Sequence, residues 1–284
     1  VGHGVTMKKH TIGIRAGEAR GPRTTIPRED RMTTHDGTQL RPGDDPARRV
    51  LWVTGGGSGM GRASAIAAAE AGWDVAVSGR RADALESTVR AIEDAGGIGL
   101  ALPLDVQDRT AVRAAVEQVV GRFGRLDGLV LAAGLNMPRR RWEDQDLGEF
   151  DQVVATNLTA VASALDAALP HLRTSGGVAV VISSYAGWSF QGGAGVAYSA
   201  SKTALGSLVR TLNQQEADHG VRACHLCPGD VATDFLDQRP QVPDAAARAV
   251  MLSAEDVARA ACFVLDAPAY MRVDELVISP VSQA

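Results

Sequence analysis

Apolar positions fall into two alternating rhythms from residue 50 onward. Short, almost wholly apolar runs predict strands at 50–54, 74–78, 98–104, 126–132, 178–183, 221–227 and 275–278. Between them, longer amphipathic stretches predict helices at 62–71, 82–95, 109–123, 149–172, 198–218 and 254–265. Continuous apolar runs suit strands buried on both faces, and strands alternating with helices imply parallel pairing through helical crossovers. The predicted fold is α/β: a single Rossmann-type doubly wound parallel sheet of about seven strands with helices on both faces. Ligands in such sheets bind beyond the carboxyl ends of the strands.

Residues 1–49 break this rhythm. They are rich in Arg, Thr, Gly and Pro, carry ten basic and six acidic residues, and show no apolar period. They are expected to form a disordered extension, leaving 50–284 as a single folded domain. The acidic residues Glu18, Glu29 and Asp30 argue against a transit peptide, the first residues lack the apolar core of a signal peptide, and Met32 is an alternative start.

The chain has 284 residues and a net charge of −4, so it is long enough for a sizeable core, and its charge gives no support to a nucleic-acid partner. No run of about 18 apolar residues exists, and no membrane span is expected. Cys224, Cys227 and Cys262 point to a reducing, cytoplasmic setting. Cys224-His225-Leu226-Cys227 has redox spacing, but it falls in a predicted strand, where residues three apart face opposite sides, so buried structural thiols are the preferred reading. His225 is taken as structural because no second ligand has metal-binding spacing to it, and no metal is expected.

Two patterns carry chemistry. Thr54-Gly-Gly-Gly-Ser-Gly-Met-Gly61 lies between the first strand and the first helix. Glycines there let a pyrophosphate approach backbone N–H groups at the positive end of a helix. The second pattern is Tyr198-Ser-Ala-Ser-Lys202. Only three lysines occur, Lys8, Lys9 and Lys202, every other basic residue being arginine. A compact ammonium whose pKa burial can move has been kept where a guanidinium would not serve. Residues four apart share a helix face, and an ammonium beside a phenol favours proton exchange near neutral pH.

With Leu104-Asp105-Val106, Thr156-Asn157-Leu158, Ile182-Ser183-Ser184 and Pro228-Gly229-x-x-x-Thr233 in the same order and spacing, residues 50–280 resemble the short-chain dehydrogenase/reductase family. The resemblance implies an oxidoreductase of an alcohol/ketone pair. Tyr198 would exchange the proton, Lys202 would lower its pKa and bind the nicotinamide ribose, and Ser184 would hold the substrate oxygen. Asn157 would hold a water that links Lys202 to solvent. Gly55, Ser58, Gly59, Met60 and Gly61 would cradle the pyrophosphate, and Asp105 and Val106 would border the adenine. Ala133 and Gly134 would lie along the cofactor, with Pro228, Gly229 and Thr233 against the nicotinamide.

Three departures from the family pattern stand out. Ala132-Ala133-Gly134 replaces Asn-Ala-Gly, which removes a bracing hydrogen bond. The interval from Ser184 to Tyr198 is one residue longer than in many members, which leaves Ser183 and Ser184 both open. The second strand ends in Gly79-Arg80, where an acidic residue often binds the adenosine ribose. Without that carboxylate a 2′-phosphate is not repelled and Arg80 can clasp it, which favours NADP(H) and leaves NAD(H) possible, although Ser58 stands where NADP-preferring relatives often carry a base. A non-catalytic dinucleotide sensor or scaffold, and a lyase or epimerase, are the alternatives.

The substrate, a small carbonyl or alcohol compound, is expected between residues 137–142, 185–195 and 234–251. Arg139, Arg140 and Arg141 in the first stretch read as a solvated loop, or as attraction for an anion. Apolar positions Val153, Val154, Leu158, Val161, Leu165, Leu205, Leu208, Val209 and Leu212 suggest a homo-oligomer, a tetramer or dimer.

Overall fold

The computed structural model describes residues 48–283. The tail expected to be disordered lies outside them, except for its last two residues, which belong to the domain: Arg48 Nε lies 3.1 Å from Asp74 Oδ1, and Arg49 pairs with Asp266 at 2.6 Å.

Seven parallel strands form one sheet in the order β3-β2-β1-β4-β5-β6-β7. They are β1 (Val50–Thr54), β2 (Asp74–Gly79), β3 (Gly99–Pro103), β4 (Gly128–Leu131), β5 (Val178–Ile182), β6 (Arg222–Pro228) and β7 (Glu275–Ile278). The helices are α1 (Gly59–Glu70), α2 (Ala82–Asp94), α3 (Arg109–Phe123), α4 (Leu147–Val154), α5 (Ala160–Ser175), α6 (Tyr185–Trp188), α7 (Val196–Gln215), α8 (Ala245–Arg248) and α9 (Ala254–Leu265). Strand alternation divides the core. Val50 and Trp52 of β1 pack on one face with residues of α3, α5 and α7. Leu51 and Val53 pack on the other with residues of α1, α2 and α9. Because β1 has β2 on one side and β4 on the other, the chain reverses its winding there, and a crevice opens beyond the strand ends at that point.

The long helix expected at 149–172 is helical throughout but not uniform. Five residues, Ala155–Thr159, form a π-turn between α4 and α5. Such a wide turn inserts one residue into the helical ladder and re-aims its side chains. Together these pieces make a helical run, Leu147–Ser175, long and apolar enough to cross a membrane by length and composition. Its apolar face is spent inside this domain, where Val161, Ala164, Leu165, Ala168 and Leu172 are buried in the core.

The same packing revises the argument for an oligomer. Val153, Val161, Leu165, Leu205 and Val209 are buried within the chain itself. Only Val154, Leu158, Leu208 and Leu212 remain partly exposed.

A second correction concerns His225. Parallel register sets Glu275 of β7 opposite it, a partner that spacing along the sequence could not reveal. The ring Nδ1 lies 3.0 Å from Glu275 Oε2 and 3.4 Å from Cys227 Sγ, so these three side chains satisfy one another. Cys224 and Cys227 lie in β6 and are fully buried, and burial pushes both thiols up to about 12. That is the inert state expected of structural cysteines.

Candidate active site

Glycine is required twice at the start of the crevice. Gly55 has φ +68, and a Cβ on it would lie 2.8 Å from Ala133 N. A Cβ on Gly61 would lie 2.3 Å from Gly55 O. The loop is therefore drawn tight against the segment after β4, which it also meets through Ala132 N to Thr54 O (3.2 Å) and Ala133 N to Thr54 Oγ1 (3.4 Å). Where the family pattern has an asparagine, this bracing falls to Thr54.

Side chains of Asp108, Asp146 and Ser253 cap α3, α4 and α9. Ser58 precedes α1 without a side-chain cap, as Arg81 does for α2 and Gly195 for α7. Uncapped first turns leave backbone N–H groups available to an anion. The loop thus fits a pyrophosphate: glycines remove bulk, and α1 presents donors.

On the far wall, Thr233 after β6 approaches Gly59, whose added Cβ would meet Thr233 Cγ2 at 3.6 Å. Pro228 is buried at the end of β6, and Gly229 N donates to Ile278 O at 2.7 Å. Met60 packs beneath the loop. Asp105 is exposed, with Oδ1 accepting from Gln107 N at 2.9 Å, and Val106 beside it is half-buried. Arg80 is exposed at the end of β2 and makes no ion pair or hydrogen bond among the described residues.

Deeper in the crevice, α7 presents Tyr198 and Lys202 one turn apart. Lys202 is 5% exposed, its Nζ donates to Ile182 O at 2.9 Å, and it lies 5.7 Å from the centre of the Tyr198 ring. Burial lowers the ammonium to about 8. The choice between the two serines follows from strand alternation. Ser183 is buried and donates to Lys202 O at 3.1 Å, whereas Ser184, whose Oγ accepts from Ala186 N at 3.2 Å, is the serine that favours the Tyr198 phenolate.

Tyr198 itself is pushed above its usual 10 by burial, and drawn back by Ser184, Arg140 and Arg239.

Asn157 sits in the π-turn with its carboxamide fully engaged. Oδ1 accepts from Leu135 N at 2.7 Å, and Nδ2 donates to Leu135 O at 2.8 Å and to Ser201 Oγ at 3.2 Å. It pins the segment after β4 to α7. Gly134 keeps the space beside it open, its added Cβ falling 3.7 Å from Asn157 Oδ1 and 3.9 Å from Lys202 Nζ.

Glycine loop, uncapped helix and Tyr198–Lys202 pair agree with what comparison finds. The short chain dehydrogenase family model matches residues 49–243. The chain belongs to the short-chain dehydrogenase/reductase family. It is a nicotinamide-dependent oxidoreductase of alcohol and carbonyl groups.

Sulfoacetaldehyde reductase 2 of Chromohalobacter salexigens is 31% identical, over 83% of this chain and 95% of its own length. Cis-4-hydroxycyclohexanecarboxylate dehydrogenase of Sinomonas cyclohexanicum is 33% identical, over 77% and 86%. Among solved structures, the alcohol dehydrogenase of the archaeon Thermococcus sibiricus, complexed with 5-hydroxy-NADP, superposes with a TM-score of 0.76 at 31% identity, covering 84% of this chain and 98% of that one. A short chain dehydrogenase of Mycobacterium paratuberculosis bound to NAD gives 0.71 at 27%, covering 81% and 96%.

The three stretches expected to frame the substrate are joined in this family member by residues the sequence did not single out. Asn136 Nδ2 donates to Ala194 O at 3.0 Å, and Gln238 Oε1 accepts from Asn136 N at 2.9 Å. Asn136 is 6% exposed, and no pattern in the sequence marks it. Phe235 lies 6.1 Å from the Tyr198 ring, in the turn Asp234–Gln238, and α6 sets Tyr185 edge-on to Trp188 at 5.1 Å.

Proposed function

We propose that this enzyme transfers hydride between NADP(H) and a small alcohol/ketone pair, with Tyr198 as proton donor and acceptor. The observation that carries the reading is Tyr198 placed beside Ser184 and Lys202 deep in a glycine-walled crevice. When bound, the nicotinamide supplies or accepts the hydride. Ser184 orients the substrate oxygen, and Tyr198 passes it a proton during reduction and removes one during oxidation. Lys202, charged below about 8, stabilises the transient phenolate and holds the nicotinamide ribose. Asn157 fixes α7 to the segment after β4. Gly55, Ser58, Gly59, Met60 and Gly61 hold the pyrophosphate, and Asp105 and Val106 border the adenine. Ala133, Gly134, Pro228, Gly229 and Thr233 line the rest of the cofactor.

The preference for NADP(H) rests on Arg80, exposed and without an acidic partner, beside Gly79 where a carboxylate would repel the 2′-phosphate. Two relatives are named for sulfoacetaldehyde and cis-4-hydroxycyclohexanecarboxylate, and a charged group on the substrate is compatible with the guanidinium felt by Tyr198. A homo-oligomer, dimer or tetramer, is supported by the half-exposed Val154, Leu158, Leu208 and Leu212, and a cytoplasmic setting by three unpaired cysteines.

A screen of ketones and aldehydes with NADPH and NADH, read at the nicotinamide absorbance, tests the reading. Turnover with at least one carbonyl and faster use of NADPH are expected. Cofactor binding without turnover of any compound would identify a non-catalytic binder.

A further inference from the structure

The three consecutive arginines after β4 meet three different fates. Arg139 is neutralised: its guanidinium makes a two-pronged contact with Glu149 at 2.7 and 3.1 Å and lies 3.4 Å from Asp146. Arg141 is exposed and lies 3.4 Å from Glu143. Arg140 turns inward. It donates only to backbone carbonyls: Met137 O at 3.0 Å, Gly193 O at 3.2 Å and Gln238 O at 3.1 Å. Among the described residues no carboxylate pairs with it.

Its aliphatic stem lies on Gly195, whose added Cβ would meet Arg140 Cγ at 3.1 Å. Gly195 opens α7, three residues before Tyr198. The Arg140 charge therefore acts on the phenol, and it also opposes Arg239, a second cation already paired with Asp230 at 2.5 Å.

A guanidinium has five N–H donors, and three atoms here serve the loops. Carbonyl dipoles satisfy those donors but cancel no charge. A partly desolvated cation without a counter-ion is costly, and its burial already pulls Arg140 below the usual arginine range. Had its purpose been only to tie three loops together, neutral donors would have done so without that cost.

We propose that Arg140 is the receptor for an oxyanion carried by the substrate, a carboxylate or sulfonate near the reacting carbonyl. This rests on the redox reading above, and it specifies the substrate class: keto or hydroxy acids rather than neutral ketones. The anion completes the charge balance around Tyr198 only when substrate is bound, and the planar fork fixes its orientation.

The test uses carbonyl acids with the carbonyl two, three or four carbons from the carboxylate, each against its neutral primary amide. Both kcat/KM and calorimetric affinity for the enzyme with NADP⁺ are measured. At least one acid should exceed its amide by about 10- to 100-fold, the scale of one charge-assisted contact. Arg140→Gln should lower use of the acid by about 10- to 100-fold more than use of the amide and so close that gap, Arg140→Lys should restore part of it, and Arg139→Gln should leave it intact. Equal use of acids and amides by the wild type overturns the proposal. So does an Arg140→Gln loss that falls equally on both, which would make Arg140 a loop clip. If no compound is turned over, the redox reading fails, and the acid-over-amide affinity still decides the anion site.

Discussion

The two halves of the crevice are built from different materials. The cofactor half, from β1 to α2, is shaped by what is missing: side chains at Gly55 and Gly61, and side-chain caps on α1 and α2. The substrate half, from the segment after β4 to the turn at Asp234–Gln238, is shaped by polar side chains that cross between loops: Asn136, Arg140 and Gln238. A backbone cradle serves a ligand whose pyrophosphate does not vary. Cross-loop side chains can be exchanged without disturbing the sheet, and that is where a family can change its substrate.

A valine at Gly61 should break the cofactor half most severely. Its Cβ would fall 2.3 Å from Gly55 O, backbone that cannot yield cheaply. Overpacking costs about 1–3 kcal/mol or more, so dinucleotide affinity should drop by about tenfold to hundredfold, or the domain should fail to fold. Gly193→Ala, with nothing within 4 Å of the added carbon, should change neither affinity nor melting temperature. Cofactor titration beside thermal melts checks both.

Arg80→Ala sharpens the comparison within the cofactor half. Loss of one charge-assisted contact should weaken NADP(H) by about 10- to 100-fold and leave NAD(H) nearly unchanged. Adding Gly79→Asp should move the preference further towards NAD(H). The readout is kcat/KM for both cofactors, and equal losses for both would reduce Arg80 to a surface residue.

Asn136→Ala addresses the substrate half alone. It unties the segment after β4 from Ala194. One buried hydrogen bond lost costs about 1–3 kcal/mol, so kcat/KM for the carbonyl should fall by about tenfold while the Kd for the cofactor stays put.

The smallest effect concerns stability. Folding lowers Lys202 to about 8 from 10.5, so the unfolded chain holds this proton more tightly than the native one. The wild type should therefore gain stability as pH rises between those values. Lys202→Met should melt no lower than the wild type at pH 7, and any excess should shrink towards pH 10.5. A wild-type melting temperature that falls relative to this variant over that range contradicts the assignment.

What was legible in the sequence follows the same division. Buried strands such as Val178–Ile182 announce themselves as apolar runs, and α3, α9 and β7 lie where periodicity placed them. The glycine loop and the Tyr198–Lys202 spacing are local patterns, so they could be read directly. The π-turn at Ala155–Thr159 was not read, because a single inserted residue lies within the ordinary scatter of an apolar helical period. The pairing of His225 with Glu275 needs the register of β6 and β7. The separate fates of Arg139, Arg140 and Arg141 depend on Glu149, Gly193 and Gln238, which are distant in sequence or belong to other loops. Contacts between loops carry no period, and there the sequence falls silent.

The claim that Tyr198 moves the proton is tested most directly by Tyr198→Phe, which keeps the ring and removes only the hydroxyl. With the best carbonyl substrate, kcat should fall by ~10²–10⁴-fold while the Kd for NADP(H) and the melting temperature stay at wild-type values. Turnover near the wild-type rate in the folded variant would contradict the account.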